Sequence, residues 1–140
     1  MPQVLDALRA AGVQLLVDVR AVASSRRPGF AKTRLAANLE EAGIGYVHLR
    51  GLGTPSDGRA AARSGRHDEM HRIFIEHLAT DAAESDLQAL VDLVQGGRRT
   101  CLLCFEADPA HCHRSIVAAA LARRIPVDVQ HLAVVPDDGD

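Results

Sequence analysis

The sequence predicts an α/β domain of three layers, with a mainly parallel sheet between helices, and three observations lead there. Aliphatic runs of strand length, VQLLVDV (13–19), IGYVHL (44–49), RTCLLCF (99–105) and VDVQHL (127–132), alternate with stretches whose apolar residues recur at helical spacing. The first run is almost continuously apolar, as expected of a strand covered on both faces. The composition is 47% apolar with only 3% aromatic residues, so the core must be aliphatic, which suits helices packed on a short sheet.

The elements follow in order. VLDALRAAG (4–12) places Val4, Leu5, Leu8 and Ala11 on one helical face, and Gly12 fits the left-handed residue that ends such a helix. After the first strand, TRLAANLEEAG (33–43) repeats the plan, with Thr33 a candidate N-cap, Leu35 and Leu39 on the buried stripe and Gly43 as the stop. GLGTPSDGRAAARSGR (51–66) carries Gly, Ser, Pro and Arg without apolar periodicity and is expected to be a mobile surface loop. Helix is expected again from His67, in two series, Met70, Ile73, Phe74, Leu78 and then Leu87, Leu90, Val91, Val94, with a break around Thr80 to Ser85 and a stop at Gly96 and Gly97. A last helix is expected from about Ala110 to Arg124.

With 140 residues the chain is expected to form a single domain over residues 1–135, with the acidic tail PDDGD (136–140) disordered. The net charge of −2 argues against a general coat for polyanions, but the charge is uneven: between Val19 and Leu39 there is no acidic residue, while Arg20, Arg26, Arg27, Lys32 and Arg34 are basic. No apolar run is long enough to span a bilayer, and Asp6 interrupts the N-terminal stretch where a signal peptide would be apolar. The expectation is a cytoplasmic protein with no membrane partner and with reduced thiols.

Ligands of parallel sheets bind beyond the carboxyl ends of the strands. The segments leaving those ends are VRAVASSRRPGF, RGLGTP and EADPAHCHR. In the first, Arg20, Ser24, Ser25, Arg26 and Arg27 offer fork-shaped donors and hydroxyls suited to phosphate or carboxylate. Asp18, inside the strand, needs a partner and is placed to orient Arg20 or cap the loop. Gly51 and Gly53 can let backbone approach a ligand.

The stretch CLLCFEADPAHCHRS (101–115) holds all 3 cysteines of the chain. Zinc is disfavoured, because Cys101 and Cys104 flank two leucines in an apolar strand, where residues three apart point to opposite faces. A redox pair would need a helix N-terminus at its C-x-x-C. No cofactor is therefore expected. Asp108 and Pro109 resemble a helix start, whose first turn would hold His111, Cys112, His113 and Arg114 and would favour an anion or a thiolate. Against that, one turn back from Ile116 and Val117 lands on Cys112 and His113, so packing is an equal reading of both. Arg114 is expected at the rim, contacting an anion or Glu106, and Glu106 is either a general acid or base or the anion of the helix start.

Taken together, VDVR, SSRRPGF, GIGYVHLRGLG and LLCFEADPAHCHR resemble the bacterial family known as domain of unknown function 488, over Val4 to Leu132. The specific element is C-x-E-x-x-P-x-x-C-H-R, here Cys104, Glu106, Pro109, Cys112, His113 and Arg114. The resemblance implies functional positions at Asp18, Arg20, Ser25, Arg26, Gly53 and the Cys104 to Arg114 set. It also implies an opening strand that ends in a Gly-His-Ser-like turn, whereas this chain starts at the following helix. The sheet is accordingly expected to lack the family's first strand, through a misplaced start, a natural truncation, or with another element or a homodimer partner over the exposed edge.

The functional expectation is a small enzyme acting on a phosphate-bearing substrate, a nucleotide or nucleic acid, with hydrolysis compatible but not selected. Arg20, Arg26, Arg27 and Arg114 would hold the anion, Glu106 or His113 would transfer protons, and Cys112 or Cys104 would be nucleophile or packing. The alternative is a non-catalytic nucleotide or nucleic-acid binding module using the same arginines.

Overall fold

The computed structural model describes residues 2–20, 32–103 and 113–126. Helix α1 (Pro2–Ala10) leads into β1 (Leu15–Asp18), followed by α2 (Lys32–Glu41) and β2 (Gly45–His48). A 3-10 turn (Arg50–Leu52) and helices α3 (Ser56–Arg63), α4 (His67–Leu78) and α5 (Asp81–Gln95) connect β2 to β3 (Thr100–Leu103), and α6 (His113–Ala122) closes the described chain. The expected fold class holds: the 3 strands form one parallel sheet in the order β2-β1-β3.

β1 is the central strand, and its four residues are all buried, which accounts for the continuous apolar run. Alternation along it divides the core. Leu16 faces Leu8 of α1 and Leu35 and Leu39 of α2. Leu15, Val17 and Val19 face the opposite layer, built from Leu52, Ala61, Met70, Phe74, Leu87, Leu90, Val91, Val117 and Leu121. One layer thus comprises α1 and α2, and the other α3 to α6. Gly12 (φ 70°) and Gly43 (φ 75°) end α1 and α2 in the left-handed conformation, as their positions in the sequence indicate.

Two local expectations need correction. The helix α2 starts at Lys32, so Thr33 lies inside its first turn rather than capping it. Residues 51–66 are not a structureless loop but contain the 3-10 turn and α3. The buried face of α3 is made of Gly58 and Ala61, whose small side chains register weakly in hydropathy, so a helix with a core-facing side looked aperiodic. Its alanines favour helix, and Gly58 lets it approach α4 closely: a Cβ there would lie 3.2 Å from Ile73 Cγ2 and 2.6 Å from Thr54 Cγ2. The break between α4 and α5 covers Ala79 and Thr80, reaching only the start of the expected range, with Asp81 to Ser85 already helical; the Thr80 hydroxyl oxygen accepts from the Ala83 backbone N–H at 3.3 Å. The expected strand at 127–132 and residues 110–112 of the last expected helix lie outside the described residues.

Candidate functional site

Because the strands are parallel and in register, they end together: Asp18 pairs with His48 on one side and with Leu103 on the other. Just beyond that edge the Val19 backbone N–H donates to Leu103 O at 3.0 Å, and Leu49 N–H donates to Asp18 O at 2.9 Å. The helix after β1 packs on the Leu16 face, whereas the helix after β3 packs on the Val17 face. The helices that follow two adjacent strands therefore lie on opposite faces of the sheet, and the carboxyl ends of β1 and β3 form a topological switch point, where open α/β sheets leave a crevice for ligands.

At this edge Asp18 and Arg20, 0% and 2% exposed, form a bidentate ion pair. Arg20 Nε donates to Oδ1 at 2.8 Å and Nη2 to Oδ2 at 2.6 Å, and the Arg20 backbone N–H adds a bond to Oδ1 at 3.1 Å. Tyr46, two residues before the register partner of Asp18 and on the same face, donates its hydroxyl to Oδ2 at 2.7 Å. Burial by itself pushes the Asp18 carboxyl up, but the donors from Arg20 and Tyr46 and the guanidinium charge outweigh it and hold the group below its usual range. Burial likewise opposes the Arg20 charge, and the carboxylate more than restores it. The Tyr46 phenol is pushed well up, first by burial and then by donation to the carboxylate. The arrangement is one charged pair with a neutral phenol as third member.

His48 adds a contact to the main chain, with Nε2 2.7 Å from Arg20 O. A carbonyl oxygen only accepts, so the Nε2 that meets it carries a proton. Arg20, the last described residue before the arginine and serine segment, is thus gripped by its guanidinium, its N–H and its carbonyl oxygen.

The segment after β2 is anchored through Gly51. Its N–H donates to Asp86 Oδ2 at 2.6 Å, and its carbonyl accepts from His77 Nε2 at 2.7 Å. A Cβ at Gly51 would stand 2.8 Å from Ala82 O, so the turn reaches α5 only because the residue is glycine. Gly53, singled out from the sequence, is buried at the end of the turn with φ −84° and ψ 157°, a conformation open to any residue. The packing against α5 thus requires glycine at position 51.

The other predicted positions divide in two. His113 and Arg114 occupy the first turn of α6, with side chains outside the described set. Ser24, Ser25, Arg26, Arg27, Cys104, Glu106 and Cys112 lie outside the described residues. Cys101 is half-buried against the α1 and α2 layer. The sequence reading missed Tyr46 and His48. The signal was available in the alternation of GYVH, which places both on the same face of β2, but only the register with β1 gives them Asp18 and Arg20 as neighbours. Among the described residues no helix is long and apolar enough to cross a membrane.

Compared with known proteins, residues 1–121 match the family model described as Domain of unknown function DUF488. No curated protein and no solved structure matches the chain.

Proposed function

Because the chain belongs to the Domain of unknown function DUF488 family, whose description assigns no reaction, we propose a function from the chemistry of the site: an enzyme acting on a phosphate-bearing substrate, a nucleotide or a nucleic acid, at the carboxyl edge of the sheet. The observation that carries this reading is the strand order β2-β1-β3, which makes β1 and β3 neighbours. The segments that follow those two strands are the arginine and serine loop and the Glu106 to Arg114 segment, so fork-shaped cations and proton-transfer groups start from adjacent points of one edge. In this reading Arg26, Arg27 and Arg114 hold the phosphate, with Ser24 and Ser25 as hydroxyl donors. Arg20, committed to Asp18, positions the loop. Glu106 and His113 move protons, and Cys104 and Cys112 serve as packing or nucleophile. A cytoplasmic location accords with the proposed substrates.

A buried charge pair at the strand end supports a functional edge over a purely structural one. Burying a carboxylate and a guanidinium costs several kcal/mol per ion before they attract each other, and a well-packed apolar pair often stabilises as much or more. The pair gives the loop a defined origin, which a binding site needs.

The test is a screen of the wild type and a Glu106→Gln variant against nucleotides and nucleic acids, together with an Arg26→Ala, Arg27→Ala double variant. Turnover by the wild type, its loss in Glu106→Gln, and a fall in affinity of about 2 kcal/mol or more in the folded double variant are expected. Binding without turnover would move the protein to a sensing module, and neither binding nor turnover would remove the reading altogether.

A further inference from the structure

We propose that His48 is a catalytic residue of this edge, a general base whose Nδ1 accepts the proton of the attacking water; the proposal rests on the hydrolytic form of the reading above. Three observations carry it. His48 is the last residue of β2 and the register partner of Asp18, which places it at the carboxyl edge and beside the origin of the arginine loop. Its ring is only half-buried. Its Nε2–H is tied to Arg20 O at 2.7 Å, which orients the ring and leaves Nδ1 as the nitrogen available to a substrate-bound water.

A histidine that donates one nitrogen to a backbone carbonyl presents the other as an oriented lone pair, the same device that orients histidines toward metals and nucleophiles elsewhere. In the step, Nδ1 takes a proton from water and the electron pair of that O–H bond forms the new bond to the substrate's electrophilic centre. The leaving oxygen or nitrogen departs with the pair of the bond that breaks and takes a proton from solvent water. The imidazolium so formed still donates through Nε2 to Arg20 O, so the ring need not move between the two states.

A Gln side chain places an amide N–H close to where Nε2 lies but offers no titrating base. His48→Gln should therefore keep the wild-type melting temperature, while turnover of the nucleotide or nucleic-acid substrate that the wild type hydrolyses falls by about 100-fold or more. His48→Ala should lose both. The nitrogen resonances of His48 should report the tautomer with the proton on Nε2, and diethyl pyrocarbonate should modify the ring, with modification lost in saturating inorganic phosphate. Wild-type turnover in His48→Gln, a proton on Nδ1, or modification that phosphate does not affect although phosphate binds would each overturn the assignment while leaving the anion site standing. Absence of any phosphate binding, or of any wild-type hydrolysis, would instead overturn the reading on which it rests, and the assignment with it.

Discussion

The Arg20 guanidinium meets the Asp18 carboxylate side by side, with Nε to Oδ1 at 2.8 Å and Nη2 to Oδ2 at 2.6 Å, and both side chains are almost fully withdrawn from water. Such a pair is held together more by the cost of breaking it than by any net gain from making it, and the asymmetry is measurable. Asp18→Asn leaves a buried guanidinium without its counter-charge and should destabilise the protein by about 3–5 kcal/mol. Replacing both residues, Asp18→Leu with Arg20→Met, should cost clearly less than the sum of Asp18→Leu and Arg20→Met made singly. Urea denaturation of the four proteins provides the cycle, and additive losses would show that the two groups do not depend on each other.

Acid should act through the same carboxylate. Its affinity for a proton is lower in the folded chain than in the unfolded one, so around and below the unfolded value of about 3.9 the unfolded state binds more protons. The Asp18 contribution is therefore complete above that value and is lost as pH falls through the lower folded one. Stability measured from pH 6 downward should decline more steeply in the wild type than in Asp18→Asn. Equal slopes would assign acid sensitivity to other carboxylates.

Tyr46 is the only tyrosine of a chain without tryptophan, so the ultraviolet titration of the phenol reads this group alone. Its raised position predicts that tyrosinate absorbance appears at higher pH in the folded protein than after denaturation. Stability linked to this phenol should be complete below the unfolded value of about 10 and be lost as pH rises through the folded one. Asp18→Asn should shift the titration back down. Tyr46→Phe, which removes one donor to a carboxylate that keeps its bonds to Arg20, should cost about 1–2 kcal/mol.

Gly51→Ala is expected to destabilise the protein. The new Cβ at position 51 would meet the Ala82 carbonyl at 2.8 Å and Asp86 Oδ2 at 2.6 Å, and the backbone contact has no flexible partner to yield. The 3-10 turn must withdraw from α5, at a cost of about 1–3 kcal/mol. Thermal melts of the variant and the wild type check this, and an unchanged melting temperature in Gly51→Ala would contradict the packing of this turn.

What the sequence by itself determined is the class of the chain, its family, and the succession of its described strands and helices other than α3 and the 3-10 turn. Periodicity is a local property, and it indicated β1 as doubly covered, α1 and α2 as one-faced helices, and Gly12 and Gly43 as their ends. It failed at α3, because a face made of Gly58 and Ala61 is buried through smallness rather than apolarity, and only packing against Ile73 reveals it. The need of Asp18 for a partner was legible, since an inward carboxylate must be satisfied, and so was Arg20 as one choice. That Tyr46 is the third member and that His48 holds the Arg20 carbonyl were decided by tertiary structure. The groups lie 28 residues apart in each bond, and it is the parallel register Asp18↔His48, set by burial on both faces of the sheet, that brings them together. A register shifted by one residue would send both side chains of β2 to the other layer, and no local pattern within that strand records which register wins.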